Sequence, residues 1–172
     1  MTKILITGGA GFIGSNFTRL ALRSNYSVVV FDKLTYAGNL STLEDISSHP
    51  HYTFIKGDIS DREHVDAVFS KYNFNYVINF AAESHVDRSI SDPDVFIKSN
   101  IMGVQALLEA CRNHNTQRYL QVSTDEVYGS LGDTGFFTED TPLDPSSPYS
   151  SSKAAADLLV QAWHRTFGLN AL

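Results

Sequence analysis

The chain has 172 residues, enough for one sizeable core and too few for two full domains. A formal net charge of −6, with the basic residues scattered along the chain, argues against a nucleic-acid partner. The single Cys111 excludes an internal disulfide and fits a reducing compartment, and no apolar run approaches the ~20 residues of a membrane span, so a soluble cytoplasmic protein is expected.

Lys3–Thr7 reads as a short buried strand, and Phe12–Arg23 as the helix behind it. Between them runs Thr7-Gly8-Gly9-Ala10-Gly11-Phe12-Ile13-Gly14. Ser27–Asp32 is a second strand, rich in valine, and Tyr52–Lys56 a third. A helix is expected from Asp61 to Lys71, with Val65, Val68 and Phe69 on one side, before a fourth strand at Tyr76–Phe80. Asp92-Pro93 looks like an N-cap with proline at the first helical position. The long helix after it, to Asn113, carries Ile97, Ile101, Val104, Leu108 and Cys111 at alternating spacings of four and three. Tyr119–Ser123 is the fifth strand, Thr124–Ser147 a long loop, and Pro148 opens a last helix to Phe167. Gly168–Leu172 reads as a helix terminator followed by the first residues of a sixth strand, so a C-terminal portion is expected beyond it. Strands alternating with helices predict an α/β fold of three layers, a Rossmann-type doubly wound parallel sheet with right-handed crossovers.

Strand, glycine turn and helix start together form a dinucleotide cradle. Gly8 permits the tight turn, Gly11 has no Cβ to block a pyrophosphate, and Gly14 is expected to let the helix pack close against the sheet. The spacing is G-x-x-G-x-x-G, so the helix starts one residue later than in the commonest dehydrogenases. Asp32 ends the second strand, where a carboxylate accepts hydrogen bonds from a ribose diol and repels a 2′-phosphate, favouring NAD over NADP. Lys33 beside it could tolerate a phosphate, and the weaker alternative for Asp32 is a strand-end aspartate capping a turn. Asp58 and Ile59, closing the third strand, suit either the adenine side of the cradle or a simple turn.

Tyr149 and Lys153 stand at i, i+4 on the last helix. A phenol is a poor base at neutral pH, and a nearby ammonium favours the phenolate, which can then take a hydroxyl proton as hydride leaves the same carbon. Ser123-Thr124-Asp125-Glu126 closes the fifth strand, where open α/β sheets bind ligands. Thr124 can hydrogen-bond a substrate hydroxyl, and the two acids add general acid and base to the site. Hydride transfer alone does not need them, whereas elimination of water does. Ala81-Ala82-Glu83-Ser84-His85-Val86-Asp87-Arg88-Ser89 closes the fourth strand, with small Ala81 and Ala82 leaving room for a cofactor. Ser84 and His85 could face a substrate, loop hydrogen bonding explains His85 as readily, and Asp87 with Arg88 could be a structural ion pair. The remaining histidines have no metal-site spacing, so no metal is expected.

These segments, with Asp32–Asn39 and Pro148–Lys153, make the chain resemble the dTDP-glucose 4,6-dehydratases, a family of extended short-chain dehydrogenase/reductases. The resemblance covers the whole chain, yet members run to roughly twice this length. It therefore implies an NAD-binding domain over residues 1–172 that carries the catalytic residues, cut before a smaller substrate domain. It further implies that Tyr149, assisted by Thr124 and Lys153, takes the glucose C4 hydroxyl proton while the C4 hydride passes to NAD. Glu126 would then remove the acidified C5 proton, and Asp125, protonated through a raised pKa beside Glu126, would protonate the departing C6 hydroxyl. Hydride return to C6 completes a net dehydration. NAD would be touched by Phe12, Ile13, Asp32, Lys33, Leu34, Thr35, Asp58, Ile59, the Phe80–Ser84 segment and Ser99. Tyr149 and Lys153 would reach its nicotinamide end, and Ser84, Thr124, Asp125 and Glu126 would contact the sugar of dTDP-glucose. A homodimer would form through the long helix and the Tyr149 helix, although the stripe Ile97–Cys111 is explained as well by packing on its own sheet. The competing readings are a UDP-glucose 4,6-dehydratase, a nucleotide-sugar 4-epimerase, for which the acid pair is superfluous, and an NAD-binding fragment without turnover.

Overall fold

The computed structural model describes all 172 residues. Strands β1 (Lys3–Thr7), β2 (Ser27–Asp32), β3 (Tyr52–Lys56), β4 (Tyr76–Asn79) and β5 (Arg118–Gln121) form one parallel sheet in the order β3-β2-β1-β4-β5. The register sets Thr53, Val29, Leu5, Val77 and Tyr119 in one row across all five strands. Side chains alternate between faces along each strand, and helices cover both. Leu5, Val29, Phe31, Val77 and Tyr119 pack with Val65, Val68 and Phe69 of α2 (Arg62–Tyr72), Leu107 and Leu108 of α5 (Gly103–Asn113), and Val160 of α6 (Pro148–Phe167). Ile4, Ile6, Val28 and Val30 face the other way, onto Ala21 and Leu22 of α1 (Phe12–Arg23). This is the doubly wound architecture expected from the alternation.

Local chemistry sets the helix ends. Asp61 is the N-cap of α2, accepting the His64 N–H at 3.1 Å, so the helix proper starts one residue later than expected. Pro148 opens α6 behind a capping box in which Ser147 and Ser150 satisfy each other's backbone N–H. Gly168 ends it in the left-handed region, at φ 69°. Beyond it, Tyr119 N–H donates to Asn170 O at 3.0 Å and Gln121 N–H to Leu172 O at 2.8 Å, so the last residues run parallel to β5 at the edge of the sheet.

Three expectations need correction. Strands β4 and β5 end earlier than the apolar runs suggest, at Asn79 and Gln121. The continuous helix Asp92–Asn113 is three pieces, a turn of α4 (Pro93–Phe96), a π-helical turn Ile97–Met102, and α5. Asp92 occupies the N-cap position but makes no side-chain capping bond. The wider π turn shifts the phase of the apolar stripe. Val104, Leu108 and Cys111 are buried on the sheet, whereas Ile97 is 49% and Met102 47% exposed. Short elements without a periodic pattern also escaped the sequence, namely the 3₁₀ turns Leu40–Ile46 and Asp125–Tyr128 and helix α3 (Val86–Ser91).

Candidate active site

The strand order reverses between β1 and β4, and a doubly wound sheet opens a crevice at that point, beyond its strands' carboxyl ends. An open cleft of about 580 Å³, counting the solvent at its mouth, lies there. Of the expected cofactor residues, Gly8, Gly11, Asp32, Lys33, Thr35, Asp58, Ile59, Phe80, Ala81, Ala82 and Ser99 line it. Phe12, Ile13, Gly14, Leu34, Ser84, Tyr149 and Lys153 do not. The sequence reading missed Phe31, Ala37, Gly38 and Gly57 on its wall, though Gly57 had a signal in preceding Asp58.

The glycine turn is closed by contacts no Cβ would survive. Gly8 has φ 66°, and a Cβ there would sit 2.6 Å from the Ala81 nitrogen at the end of β4. At Gly14 a Cβ would lie 2.3 Å from the Gly8 carbonyl oxygen. Its service is therefore to let α1 close on the turn itself, and the expected packing on the sheet is replaced by that contact. The N-cap Gly11 offers no side-chain cap to α1, which leaves its first turn of N–H groups open to an anion. Phe12 and Ile13 on that turn are 86% and 59% exposed.

Asp32 is buried and does two jobs. Its Oδ2 accepts the Ala10 N–H at 2.9 Å and its Oδ1 the Leu34 N–H at 2.8 Å, so it ties the glycine turn to the exit of β2 while lining the cleft. Leu34 is held at φ 58°, a strained conformation for a branched side chain. Lys33 Nζ lies 2.8 Å from Asp58 Oδ2. Burial raises the Asp58 pKa, but Lys33 and the Ser60 N–H and hydroxyl outweigh it and hold the carboxyl below its ordinary value. The cation that could have welcomed a 2′-phosphate is thus engaged. Glu83 also lines the cleft, and its buried Oε2 has no hydrogen-bond partner.

A second group gathers on α6 and the end of β5. Tyr149 and Lys153 are both buried, and Thr124 caps the 3₁₀ turn that begins Asp125-Glu126. Asp125 and Glu126 are exposed, yet their charges act on the Tyr149 phenol. Burial raises the phenol pKa, Glu126, Asp125 and Tyr36 add to the rise, and the Thr124 hydroxyl pulls the other way. Lys153, expected to acidify the phenol, instead donates from Nζ to the Val122 carbonyl at 2.5 Å. Its own pKa is lowered by burial, with Asp157 opposing. So the chain alone holds its tyrosine protonated, and a further positive charge is needed to make it a base.

Behind Tyr149 lies a buried polar bridge the sequence did not announce. Asn100 Oδ1 accepts the Glu83 N–H, and its Nδ2 donates to Glu83 O and to Ser152 Oγ, all at 2.9 Å. Ser152 Oγ in turn donates to the Tyr149 carbonyl at 2.7 Å. Asp87 and Arg88 do not pair as suggested. Arg88 lies 3.7 Å from Glu83 Oε2 and 4.4 Å over the Tyr36 ring, which also meets the His85 ring at 5.1 Å. His85 is exposed and makes that ring contact, and Ser84 is exposed beside it. No group of three or more His, Cys, Asp or Glu side chains could hold a metal ion, and no helix is long and apolar enough to cross a membrane.

A family model described as GDP-mannose 4,6 dehydratase matches residues 5–172. The chain belongs to the GDP-mannose 4,6-dehydratase family. Within the range of this family it is 51% identical to the dTDP-glucose 4,6-dehydratase of Xanthomonas campestris pv. campestris (strain B100), an alignment that takes in 100% of this chain and 52% of that protein. Among solved structures it is similar to a dTDP-glucose 4,6-dehydratase from Streptomyces venezuelae with NAD bound, at TM-score 0.94 and 45% identity over 99% of this chain and 54% of that one. It is similar, more distantly in sequence, to the Thermus thermophilus UDP-glucose 4-epimerase complex with NAD, at TM-score 0.91 and 31% identity over 99% of this chain and 53% of that one. As a member of the GDP-mannose 4,6-dehydratase family, the chain spans about half the length of the curated relatives it matches.

Proposed function

We propose that this protein is an NAD-dependent nucleotide-sugar 4,6-dehydratase that converts dTDP-glucose to its 4-keto-6-deoxy product. One observation carries the reading. Two adjacent carboxylates, Asp125 and Glu126, sit near enough to the Tyr149 phenol for both charges to act on it. A 4-epimerase has no use for that pair.

The cleft fits NAD. The open first turn of α1 suits a pyrophosphate, and Asp32, Asp58 and Glu83 Oε2, which has Arg88 at 3.7 Å but no hydrogen-bond donor, offer acceptors to hydroxyl donors. The chemistry NAD supplies when bound is acceptance of a hydride from the sugar's C4 and its return at C6. The chain's residues move the protons. Tyr149 takes the C4 hydroxyl proton, with Thr124 holding that hydroxyl. The cationic ring of bound NAD would counter the burial and anionic charge that keep the phenol protonated, and Lys153, seated on Val122 O, would add its charge from the same helix face. Glu126 removes the C5 proton, and Asp125 protonates the leaving C6 hydroxyl. Ser84, exposed at the end of the β4 loop, is assigned to the sugar, and Phe12, Ile13 and Leu34 to NAD as it extends past the cleft wall.

The proposed assembly is a homodimer through the segment Asp92–Asn113 and α6, supported by the exposed Ile97, Met102 and Leu158 on them, and the proposed location is cytoplasmic. The test is incubation of the whole enzyme with dTDP-glucose and NAD, reading the 4-keto product by its absorbance in alkali. Asp125→Asn with Glu126→Gln is expected to leave C4 oxidation partly intact while cutting product formation by a factor of about 10²–10⁴. Unchanged product formation in that double variant would remove the dehydratase reading.

A further inference from the structure

Tyr149, Lys153 and Asp157 follow one another at i, i+4 and i+8, and therefore share one face of α6. The first two belong to the site proposed above, and the third has no part in it. Asp157 accepts a hydrogen bond from the Ser123 hydroxyl at 2.5 Å, from Ser123 Oγ to Oδ2. Ser123 is the neighbour of Val122, whose carbonyl receives the Lys153 Nζ at 2.5 Å. An acid on the helix thus grips the strand end at the residue next to the one that seats the lysine.

We propose that Asp157 is a positioning residue for Lys153, fixing through Ser123 the Val122 carbonyl that seats the ammonium and supplying the negative charge that ammonium faces. The surrounding groups leave it that part. Tyr119 of β5 also feels the Asp157 charge, but its phenol is fully buried and held well above its ordinary pKa, chiefly by that burial. Cys111 of α5, beside Tyr119, is pushed up to about 12 by burial, so both stay neutral near pH 7. Asp125 and Glu126 act on Tyr149 at the other end of the row, as does Tyr36. Asp157 is the charge that opposes burial at Lys153.

The inference about the lysine's seat stands on this chain alone, and only its consequence for catalysis rests on the dehydratase reading. The direct test is a pH titration of the Lys153 side chain in ¹³C-lysine-labelled protein, with its resonance assigned by loss in Lys153→Met. In Asp157→Asn the titration midpoint is expected to move to lower pH, because the ammonium has lost its counter-charge. Asp157→Glu, which keeps the carboxylate, is expected to restore it. Dispersed amide spectra in both variants show that they are folded. A Lys153 midpoint that stays put in folded Asp157→Asn overturns the proposal.

The same variants in the whole enzyme then read the consequence. Asp157→Asn is expected to lower kcat by on the order of tenfold to a hundredfold with little change in KM, and to move the alkaline-rising limb of its pH profile upward. A purely structural loss would lower kcat equally at every pH. If wild type turns over no nucleotide sugar while the Lys153 midpoint still moves, the dehydratase reading fails and the positioning role survives.

Discussion

At the scale of single residues, Lys153 shows what the site costs the fold. An ammonium on a buried helix face has lost its hydration, and a single backbone carbonyl with a half-buried carboxylate nearby replaces it in part. Its pKa is lowered from an ordinary 10.5, so over the range between the folded and unfolded values the unfolded chain binds the proton and the folded chain does not. Stability therefore rises with pH across that range, and at neutral pH the charged lysine is a burden. Replacing it by methionine keeps the aliphatic length and removes the charge, while Val122 O retains the Gln121 Nε2 donor at 3.3 Å. Lys153→Met is expected to raise Tm by about 2–4 °C at neutral pH. It should also abolish the alkaline rise in stability and most of the turnover. Thermal unfolding of both proteins across pH checks the first two, and a Tm that falls at neutral pH would contradict them.

At the scale of elements, the π turn does the most that a sequence pattern cannot express. Strands and helices with a regular period were legible because burial on one face writes itself into every second or every third and fourth residue. The turn Ile97–Met102 adds an out-of-phase residue to an otherwise helical stripe, and the spacing of Ile97, Ile101 and Val104 hides it. The one trace is Asn100, a polar residue inside an apolar run. It is 1% exposed because the turn aims it at Glu83 and Ser152. Glu83 lay within the Phe80–Ser84 segment without a role of its own, and no motif singles out Asp157. Both matter through partners distant in sequence. Asn100→Ala would strand the Glu83 N–H and carbonyl without partners in the interior. The expected loss is about 2–4 kcal/mol of unfolding free energy, read by urea denaturation. Asn100→Asp keeps the acceptor for the Glu83 N–H but buries a carboxylate against the Glu83 carbonyl, and should lose at least as much. A loss well under ~1 kcal/mol in Asn100→Ala would mean that the bridge adds little to the fold.

At the scale of the whole molecule, the cofactor cleft collects residues from four strand ends and from the loop after β2, so anything that fills it ties together segments that unfold apart. Ligand affinity is then readable as stability, without any turnover. For NAD at a hundredfold over its dissociation constant the stabilisation is about 2.7 kcal/mol, or roughly 5–11 °C in Tm for a chain of this size. NADP is expected to raise Tm far less. Its 2′-phosphate would meet the buried Asp32 carboxylate, and the nearby Lys33 is already spent on Asp58 at 2.8 Å. Releasing that lysine should narrow the gap. In Asp58→Ala the NADP-induced shift is expected to rise towards the NAD-induced one, because the cation is then free to neutralise a phosphate at the end of β2. Thermal shift with each dinucleotide, on wild type and Asp58→Ala, makes the comparison. Equal shifts with both cofactors in wild type would contradict the carboxylate's proposed selectivity, and no shift with either would dismiss the cleft as a dinucleotide site.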